Sequence, residues 1–272
     1  MIDKIHNESC LDTMARMPDN FIDLTVTSPP YDNLRTYNGA IKGWGEDVWK
    51  DVLRELYRVT KEGGVVVWVV GDATIKGSET GTSFKQALFA KEVGFRLHDT
   101  MIYRKANRPP LNHPRYEQEF EYMFVFSKWR PKTVNLRTTK CINAGKINKG
   151  TMRNGGSDLL QKKHGSGTPY KETKPFGNIW SYAVGIEKDN KGVHPAVFPE
   201  QLANDHIISW SNEGDLVYDP FMGSGTTAKM AILNNRHWIG SEVSEEYCEI
   251  ARKRVENVGK QIRIKEETHN AE

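Results

Sequence analysis

A continuous run of apolar residues, Val65-Val66-Val67-Trp68-Val69-Val70, constrains the fold more than any other feature of the sequence. Glycines bound the run on both sides, with Gly63-Gly64 before it and Gly71 after it. Successive residues of a strand face opposite sides of a sheet, so a strand without a polar side has to be covered on both faces. Such strands are typical of parallel sheets that carry helices on both faces.

Strands and helices alternate along the chain on both sides of a long polar stretch. Short apolar runs predict strands at 22–27, 97–103, 122–126, 216–218 and 238–242. Apolar residues at helical spacing predict helices at 46–60, 83–93, 200–210, 226–234 and 245–258. We expect Gly63-Gly64 to end the first of these helices, Ser83 to cap the second and Pro199 to open the third. This alternation predicts an α/β fold with a doubly wound, mostly parallel, Rossmann-like sheet.

Composition limits the class of protein. The chain has 272 residues and is 38% hydrophobic, which suits one large α/β domain with an inserted segment. No apolar run approaches the roughly 20 residues that span a bilayer, and the N-terminus lacks a signal-peptide pattern. We therefore expect no membrane partner and a cytoplasmic location. The three cysteines are far apart and the histidines lack ligand spacing, so we expect no metal site.

Positive charge is concentrated in one stretch. Residues 127–192 carry fourteen Lys or Arg against four Asp or Glu, a net charge of +10, although the whole chain carries only +3. A basic segment on an acidic body indicates a polyanionic partner. A solvated surface loop rich in lysine would give the same composition, so charge alone leaves both interpretations open.

A strand, a glycine turn and a helix follow one another at Asp215–Thr227. Asp219 stands at the carboxyl end of the strand, where open α/β sheets bind ligands, and Gly223 and Gly225 let the backbone approach a ligand closely. Glu242 ends the next strand, where an acid can accept hydrogen bonds from ribose hydroxyls. NAD would suit this acid equally well. An aspartate at position 219 would repel a pyrophosphate and attract an amino group, which favours S-adenosylmethionine.

The segment Thr27-Ser28-Pro29-Pro30-Tyr31 follows the first predicted strand. Two prolines fix two φ angles and remove two N–H donors, which makes a stiff turn with outward carbonyl groups. Ser28 adds a hydroxyl oxygen and Tyr31 adds a flat ring. Such a turn can hold a base amino group between two acceptors while the ring stacks on the base. Taken alone, the same letters also fit an ordinary proline turn.

Together, these two segments resemble the beta class of DNA amino-methyltransferases, in which the catalytic motif precedes the cofactor motif and the target recognition region lies between them. Three further segments match that family: 7–23, which looks like its N-terminal segment; 194–202, which looks like its motif for the methionine end of the cofactor; and 240–247, which looks like its ribose motif. The resemblance covers nearly the whole chain except about 129–192. One departure is that Glu8-Ser9-Cys10 stands where the family commonly has Gly-Asp-Cys.

The resemblance implies roles for individual residues. The catalytic residues would be Ser28, Pro29, Pro30 and Tyr31. The residues that would bind S-adenosylmethionine are Ser9, Cys10, Thr27, Phe198, Asp219, Pro220, Phe221, Gly223, Ser224, Gly225, Thr226, Thr227, Glu242 and Val243. The basic residues that we expect to contact double-stranded DNA are Arg104, Lys105, Arg108, Arg137, Lys140, Lys146, Arg153, Lys162 and Lys163.

The resemblance also implies a domain plan and a reaction. Residues 1–128 would form the catalytic half of the methyltransferase domain, 129–192 the target recognition region, 193–264 the cofactor-binding half, and 265–272 a polar tail. The enzyme would methylate an exocyclic amino group of a flipped base, and Ser28 favours cytosine N4 over the alternative, adenine N6. A prokaryotic or phage origin follows, and a homodimer and a separately acting restriction endonuclease stay open.

Two other classes compete with this interpretation. Methyltransferases acting on RNA or on a protein glutamine usually place the cofactor motif before an Asn-Pro-Pro-Tyr motif, which is the reverse of the order in this chain. A non-catalytic DNA-binding module would use the basic segment but would need neither the Pro-Pro turn nor the glycine turn. The order of the motifs therefore favours a DNA amino-methyltransferase.

Overall fold

The computed structural model describes residues 1–30, 44–107, 115–153, 160–162, 165–183 and 198–269, and leaves the side chains of 152–153, 160–162 and 262–269 undescribed. The chain divides into two compact units. The main unit comprises Met1–Asn135 and Asn178–Glu272, and the inserted unit comprises Leu136–Gly177.

Fourteen strands and six helices are present in the described ranges. The strands are β1 (Lys4–His6), β2 (Ile22–Thr27), β3 (Thr60–Val70), β4 (Thr74–Ile75), β5 (Ser78–Glu79), β6 (Arg96–Lys105), β7 (Phe120–Ser127), β8 (Thr138–Lys140), β9 (Thr151–Arg153), β10 (Leu160–Lys162), β11 (Thr173–Pro175), β12 (Ile179–Tyr182), β13 (Leu216–Asp219) and β14 (His237–Ser241). The helices are α1 (Cys10–Ala15), α2 (Glu46–Val59), α3 (Thr82–Val93), α4 (Glu200–Trp210), α5 (Thr226–Leu233) and α6 (Glu245–His269).

Eight strands of the main unit form one sheet in the order β1-β14-β13-β2-β3-β7-β6-β12. All neighbouring strands are parallel except the pairs that involve β7, which runs antiparallel to both β3 and β6. The prediction of a doubly wound, mostly parallel sheet is therefore confirmed. The carboxyl ends of β2, β3, β13 and β14 meet at one side of the sheet, which we call the carboxyl edge.

Strand β3 shows why the sheet needs helices on both faces. Val65, Val67 and Val69 belong to one buried cluster together with apolar residues of α4 and α5. Val66, Trp68 and Val70 belong to a second cluster together with apolar residues of α1, α2 and α3. All six side chains are almost fully buried. The continuous apolar run thus serves two cores at once, as its composition predicts.

Three local predictions differ from the structure. Helix α2 ends at Val59, because Thr60 has an extended backbone and donates its N–H to the Leu56 carbonyl. Gly63-Gly64 therefore do not end the helix. They lie inside β3, at an irregularity of its pairing with β2. The N-cap of α3 is Gly81, so Ser83 lies inside the helix. The N–H and the hydroxyl of Ser83 both donate to the Asp72 carboxylate. Pro199 is the N-cap of α4 and precedes its first helical residue.

The boundaries of the inserted segment also differ from the sequence-based ones. Residues 129–135 belong to the main unit, and so does β12, which adds an edge strand to the sheet beside β6. Trp180 and Tyr182 of β12 alternate into the core, with 7% and 9% of their surface exposed. At the other end, α6 continues to His269, so the polar tail predicted from 265 is helical over most of its length. Two residues per face were too few to mark β12 by its pattern.

Within the described ranges, none of the helices has an apolar stretch long enough to cross a membrane. The same ranges contain no group of three or more His, Cys, Asp or Glu side chains arranged to hold a metal ion. The inserted unit has its own antiparallel pairs, β9 with β10 and β8 with β11.

Candidate active site

Asp219 lies at the carboxyl edge and joins the two predicted motifs. Its strand, β13, pairs with β2, so its side chain lies beside Thr27 at the end of β2. The Thr27 hydroxyl donates to Asp219 Oδ1 at 2.6 Å, and the Thr227 hydroxyl donates to Oδ2 at 2.7 Å. The Phe221 N–H donates to Oδ1 at 3.1 Å. The catalytic motif and the cofactor motif, 192 residues apart in sequence, are thus connected by one hydrogen bond.

The Asp219 carboxyl group is buried, and this burial raises its pKa, against which the three hydrogen bonds act in the opposite direction. An ionised carboxylate offers about four acceptor positions, and side chains and backbone of the described residues use three of them. Within that part of the chain, one acceptor position is left for a cationic ligand. The residues around Asp219 therefore suit an ammonium group, as the charge argument from the sequence expects.

The turn between β13 and α5 has the left-handed backbone that only glycine adopts easily. Gly223 has φ +51° and Gly225 has φ +82°. A Cβ on Gly225 would lie 2.9 Å from the Ala251 side chain of α6, so this turn approaches α6 too closely for a side chain. We call residues 220–226 the cofactor turn. A turn of this kind lets the backbone approach a ligand closely, and the first N–H groups of α5 have no carbonyl partner within the helix.

Glu242 follows β14 and holds the cofactor turn from the other side. One carboxylate oxygen accepts the Gly223 N–H and the other accepts the Ser244 N–H, each at 2.9 Å. Burial raises the pKa of this carboxyl group, and the backbone N–H groups of Ser244, Gly223 and Val243 act against that rise. A carboxylate at the end of a strand can accept hydrogen bonds from ribose hydroxyls. Val243 beside it is half exposed, with 51% of its surface accessible.

The N-terminal segment reaches the same edge. The Ser9 hydroxyl caps α1 by accepting the Leu11 N–H at 3.2 Å, and Asn7 donates to the Glu242 carbonyl at 3.0 Å. Cys10 is buried, and burial raises the pKa of its thiol to about 12. The thiol is therefore protonated at neutral pH and is not a nucleophile. Ser9, where the related family commonly has aspartate, contributes a neutral hydroxyl.

The turn at 28–30, which we call the catalytic turn after its expected role, begins directly after β2. Ser28 and Pro30 are half-buried, and Pro29 is buried. Ser28 is one residue from the Thr27 hydroxyl that binds Asp219, so it lies at the side of the cofactor turn. Tyr31 lies outside the described residues, as does His194. Phe198, the other residue expected near the methionine end of the cofactor, packs half-buried against the core beside α4.

Aromatic residues that the sequence did not assign support the cofactor turn. The Trp44 ring meets Phe221 edge to face with centroids 5.2 Å apart, and Trp68 of β3 meets the same ring at 6.2 Å. The buried Trp44 indole N–H has no hydrogen-bond partner among the described residues. From its residue type alone, Trp44 suggests only base stacking. Its contact with Phe221 has no sequence signal, because nothing in the spacing links the two positions.

The basic residues predicted to contact DNA fall into three groups. Arg104 and Lys105 end β6, whose carboxyl end points to the carboxyl edge because β6 runs parallel to β3; they pair with Glu119 and Glu121. Arg137, Lys140, Lys146, Arg153 and Lys162 belong to the inserted unit. Arg108 and Lys163 lie outside the described residues, as do the side chains of Arg153 and Lys162.

The inserted unit carries nine Lys or Arg and two acidic residues. The Arg137 guanidinium packs over the Phe176 ring at 4.8 Å, and Lys146 Nζ lies 3.5 Å from Asn143 Oδ1. Its exposed apolar side chains include Ile142 and Ile147, at 89% and 51% exposure. A surface of this kind suits a polyanion, because the cations with described side chains are in contact with solvent and basic residues of the unit outnumber acidic ones.

A family model described as DNA methylase (N6_N4_Mtase) matches residues 22–253. The orphan methyltransferase M.BamHII of Bacillus amyloliquefaciens is 56% identical over 246 residues, which cover 88% of this chain and 90% of that protein. The DNA adenine methyltransferase YhdJ of Escherichia coli (strain K12) is 27% identical over 257 residues, 93% of this chain and 82% of that protein.

Solved structures show the same fold. The PvuII DNA methyltransferase, described as cytosine-N4-specific, aligns with a TM-score of 0.68 at 21% identity, over 94% of this chain and 90% of that chain. TTHA0409 of Thermus thermophilus, a DNA modification methylase crystallised in complex with S-adenosyl-L-methionine, aligns with a TM-score of 0.61 at 23% identity, over 93% and 95%. With the family model covering most of the chain, this protein belongs to the N6/N4 DNA methylase family and is a DNA amino-methyltransferase.

Proposed function

We propose that this methyltransferase transfers a methyl group to N4 of a cytosine that is flipped out of double-stranded DNA. The observation that carries the proposal is the 2.6 Å hydrogen bond between Thr27 and Asp219, which fixes the catalytic turn beside the cofactor turn. Chemistry between two bound molecules needs this proximity, because positioning alone supplies much of an enzymatic rate acceleration.

The cofactor of this family is S-adenosylmethionine, which supplies a methyl group on a positively charged sulfur. We assign its amino group to Asp219, the ribose hydroxyls to Glu242, and the methionine end to the cofactor turn and Phe198. The adenine end falls to Ser9, Cys10 and Val243. The position of the two carboxylates at the carboxyl edge and the glycine geometry at 225 support this assignment.

The catalytic turn prepares the base. The lone pair of a base amino nitrogen is delocalised into the ring, which makes it a poor nucleophile. We assign the two amino hydrogens to the Ser28 hydroxyl oxygen and the Pro29 carbonyl oxygen, which localises the lone pair on nitrogen and directs it at the methyl group. Acceptors at fixed positions also stabilise the positive charge that develops on this nitrogen. Transfer would leave the cofactor as a neutral thioether, and the methylated nitrogen would release one amino proton to solvent. Tyr31 stacks on the flipped base in this proposal.

Serine at position 28 favours cytosine as the target, because in the family that the sequence resembles Ser-Pro-Pro-Tyr is associated mainly with cytosine amino methylation and Asp- or Asn-Pro-Pro-Tyr with adenine. Serine is also a weaker acceptor than aspartate. Adenine N6 is the second candidate, favoured by the 27% identity to an enzyme described as a DNA adenine methyltransferase. Both bases present an exocyclic amino group next to a ring nitrogen, so the same turn can hold either. The base is the point that experiment has to decide.

The basic inserted unit is the proposed DNA-binding surface, and in the main unit we assign DNA contacts to Arg104 and Lys105 at the carboxyl edge. We place the reaction in the cytoplasm of a prokaryote, because the similar methyltransferases named above come from bacteria. The proposal requires neither a homodimer nor a partner endonuclease, and either can be added to it.

Mass spectrometry of nucleosides tests the proposal. Plasmid DNA from a bacterial strain without its own DNA methylation, with and without this chain, would be digested and separated by chromatography. We expect N4-methylcytosine, resolved from 5-methylcytosine by its retention time, only where the active chain is expressed. N6-methyladenine in its place would establish the second candidate. Transfer of labelled methyl groups to RNA or protein but not to DNA would contradict both.

A further inference from the structure

Arg254 of α6 is buried against the cofactor turn, with 5% of its surface exposed. Its Nη1 donates to the Ser224 carbonyl oxygen at 2.7 Å, to the Ser224 hydroxyl at 3.1 Å and to the Thr226 hydroxyl at 3.2 Å. We propose that Arg254 is a positioning residue that holds the cofactor turn in the shape that binds S-adenosylmethionine. The inference rests on the cofactor site proposed above.

The contact with Ser224 fixes one peptide plane of the turn. The carbonyl of the Ser224–Gly225 peptide accepts from Arg254, and the N–H of the same peptide donates to the Met222 carbonyl at 3.0 Å. A peptide group is planar, so holding its carbonyl and its N–H fixes its orientation. With the carbonyl directed at α6, it points at a cation of the protein and not at the ligand. Gly225, the next residue, has the positive φ that this orientation requires.

A second interaction ties the turn to the start of α4. Arg254 Nη2 donates to Glu200 Oε1 at 2.7 Å, and Glu200 is the first residue of α4, two residues after Phe198. Arg254 therefore contacts both segments that we assign to the methionine end of the cofactor. Loss of the guanidinium would release the peptide plane and the start of α4 together.

Lys229 of α5 makes a useful comparison, because its Nζ binds the same Glu200 oxygen at 2.6 Å. It belongs to the same ion network, and its backbone N–H donates to the Gly225 carbonyl at 3.0 Å, a helix hydrogen bond that a change of the Lys229 side chain keeps. When Arg254 is replaced, Lys229 still neutralises Glu200, so the variant does not leave a buried carboxylate without a cation. Comparing variants of Arg254 and Lys229 therefore distinguishes an effect on the cofactor turn from an effect on the ion network around Glu200.

The expected consequence is weaker cofactor binding in a folded protein. A turn released from Arg254 populates other conformations. The measured affinity for the cofactor then falls in proportion to the fraction of molecules that keep the binding conformation. For the loss of hydrogen bonds from a charged donor we expect the Kd for S-adenosylmethionine to rise about tenfold or more. The KM for DNA and the kcat at saturating cofactor should change little, because Arg254 contacts neither the base nor the catalytic turn.

Calorimetry on four purified variants tests this inference: Arg254→Met, Arg254→Lys, Lys229→Met and Arg252→Met. The last removes an exposed cation two residues away, which pairs with Glu245. We expect Arg254→Met to weaken the binding of S-adenosylmethionine and of its demethylated product equally, since both ligands would contact the cofactor turn. Arg254→Lys should recover part of the affinity, and the two control variants should bind as the unchanged chain does. In ligand-free protein, amide exchange at Gly225 should be faster in Arg254→Met alone.

Several results would overturn the inference. An unchanged Kd in folded Arg254→Met would do so, and so would an equal loss in Lys229→Met, which would assign the effect to the ion network. If Arg254→Met does not fold, Arg254→Lys provides the test. A lysine ammonium group cannot bind Ser224 and Glu200 in the way that the guanidinium does, so an unchanged Kd of Arg254→Lys for S-adenosylmethionine would contradict the inference. Failure of the cofactor site itself is recognised separately, because Gly225→Ala would then also leave the Kd unchanged.

Discussion

Ser28 carries the most direct prediction at the scale of single residues. Removing its hydroxyl takes away one of the two acceptors that localise the lone pair of the amino nitrogen, while the cofactor contacts stay. We predict that Ser28→Ala lowers kcat about a hundredfold, by analogy with the loss of one fixed polar group that stabilises developing charge. Single-turnover transfer of a labelled methyl group to plasmid DNA measures the rate, and calorimetry measures the Kd for the cofactor.

The two measurements together give the result its meaning. A low kcat with an unchanged cofactor Kd places the effect at the base, whereas a raised Kd would assign Ser28 to cofactor binding. A variant with full turnover would contradict the role proposed for its hydroxyl.

We predict that cofactor binding depends on pH through the carboxyl group of Asp219. Burial raises its pKa above the ordinary value of about 4, so in the free enzyme the carboxyl group loses its proton at a higher pH than usual. Only the ionised form attracts an ammonium group. Affinity for S-adenosylmethionine should therefore rise as the pH increases through this raised pKa, and fall as the pH drops below it. Calorimetry across that range measures the effect.

Asp219→Asn is the matched control for this titration, because it keeps the size of the side chain and loses the charge. It should bind the cofactor weakly and without the pH dependence. A wild-type Kd that is constant across the acidic range would show that Asp219 does not meet the amino group. A pH dependence that persists in Asp219→Asn would assign the titration to another group.

Residue types predicted much of the site, and contacts that depend on tertiary packing were not predicted. Thr27 and Asp219 belong to motifs that indicated chemistry, and the structure brings them within one hydrogen bond. Arg254 sits in a helix of ordinary amphipathic pattern, where a single arginine is more often exposed. Its burial follows from the close approach of α6 to Gly225, a distance that no sequence pattern records.

At the scale of elements, the cofactor turn depends on glycine at position 225. An alanine there would have its Cβ 2.9 Å from the Ala251 side chain and would also need φ +82°. The left-handed backbone costs about 1–2 kcal/mol for a residue with a side chain, and the clash adds to it. We predict that Gly225→Ala lowers the free energy of unfolding by more than that and weakens cofactor binding, measured by denaturant unfolding and calorimetry.

Gly214 offers the matched control, because it has φ +81° and nothing within 4 Å of the position of its Cβ. Gly214→Ala should show the backbone effect alone and bind the cofactor normally. Equal effects of the two substitutions on stability and on the Kd would contradict the argument that the contact with Ala251 shapes the turn.

The ends of elements were less predictable than the elements themselves. The pattern placed α2 and β3 correctly, yet Gly63-Gly64 lie within β3, because a strand tolerates glycine at an irregularity of pairing. Ser83 has the residue type of an N-cap, and its hydrogen bonds to Asp72 show that tertiary contact took precedence over local capping. Capping signals compete with any carboxylate that the fold brings near, which local sequence cannot reveal.

At the scale of the whole molecule, the two-sided burial of β3 was enough to predict the architecture. A strand with Val65 to Val70 facing two cores requires helices on both faces, and the alternation of elements supplies them. Strand β12 was not predicted, because four residues inside a basic segment carry a weak signal. Only the partner β6 makes it a strand, and that pairing is non-local.

The charge of the inserted unit leads to the prediction that concerns the molecule as a whole. A protein that neutralises DNA phosphates releases counterions, so the logarithm of its affinity falls with the logarithm of salt by about 0.9 per phosphate contact. We predict that the double variant Lys140→Gln/Lys146→Gln binds random-sequence duplex DNA more weakly at low salt and with a slope reduced by about two. Fluorescence anisotropy across a salt series measures it.

Arg137 stays in place in this experiment, because its guanidinium packs on Phe176 and its loss would disturb the inserted unit itself. The matched control is Lys253→Gln/Lys260→Gln on α6, which removes the same charge from exposed positions of the main unit. If the inserted unit contacts DNA, the control keeps the slope of the unchanged chain and both proteins keep its cofactor Kd. Equal slopes in the two double variants would instead show that lysine charge acts only through the net field of the protein, and the inserted unit would lose its assignment as the DNA-binding surface.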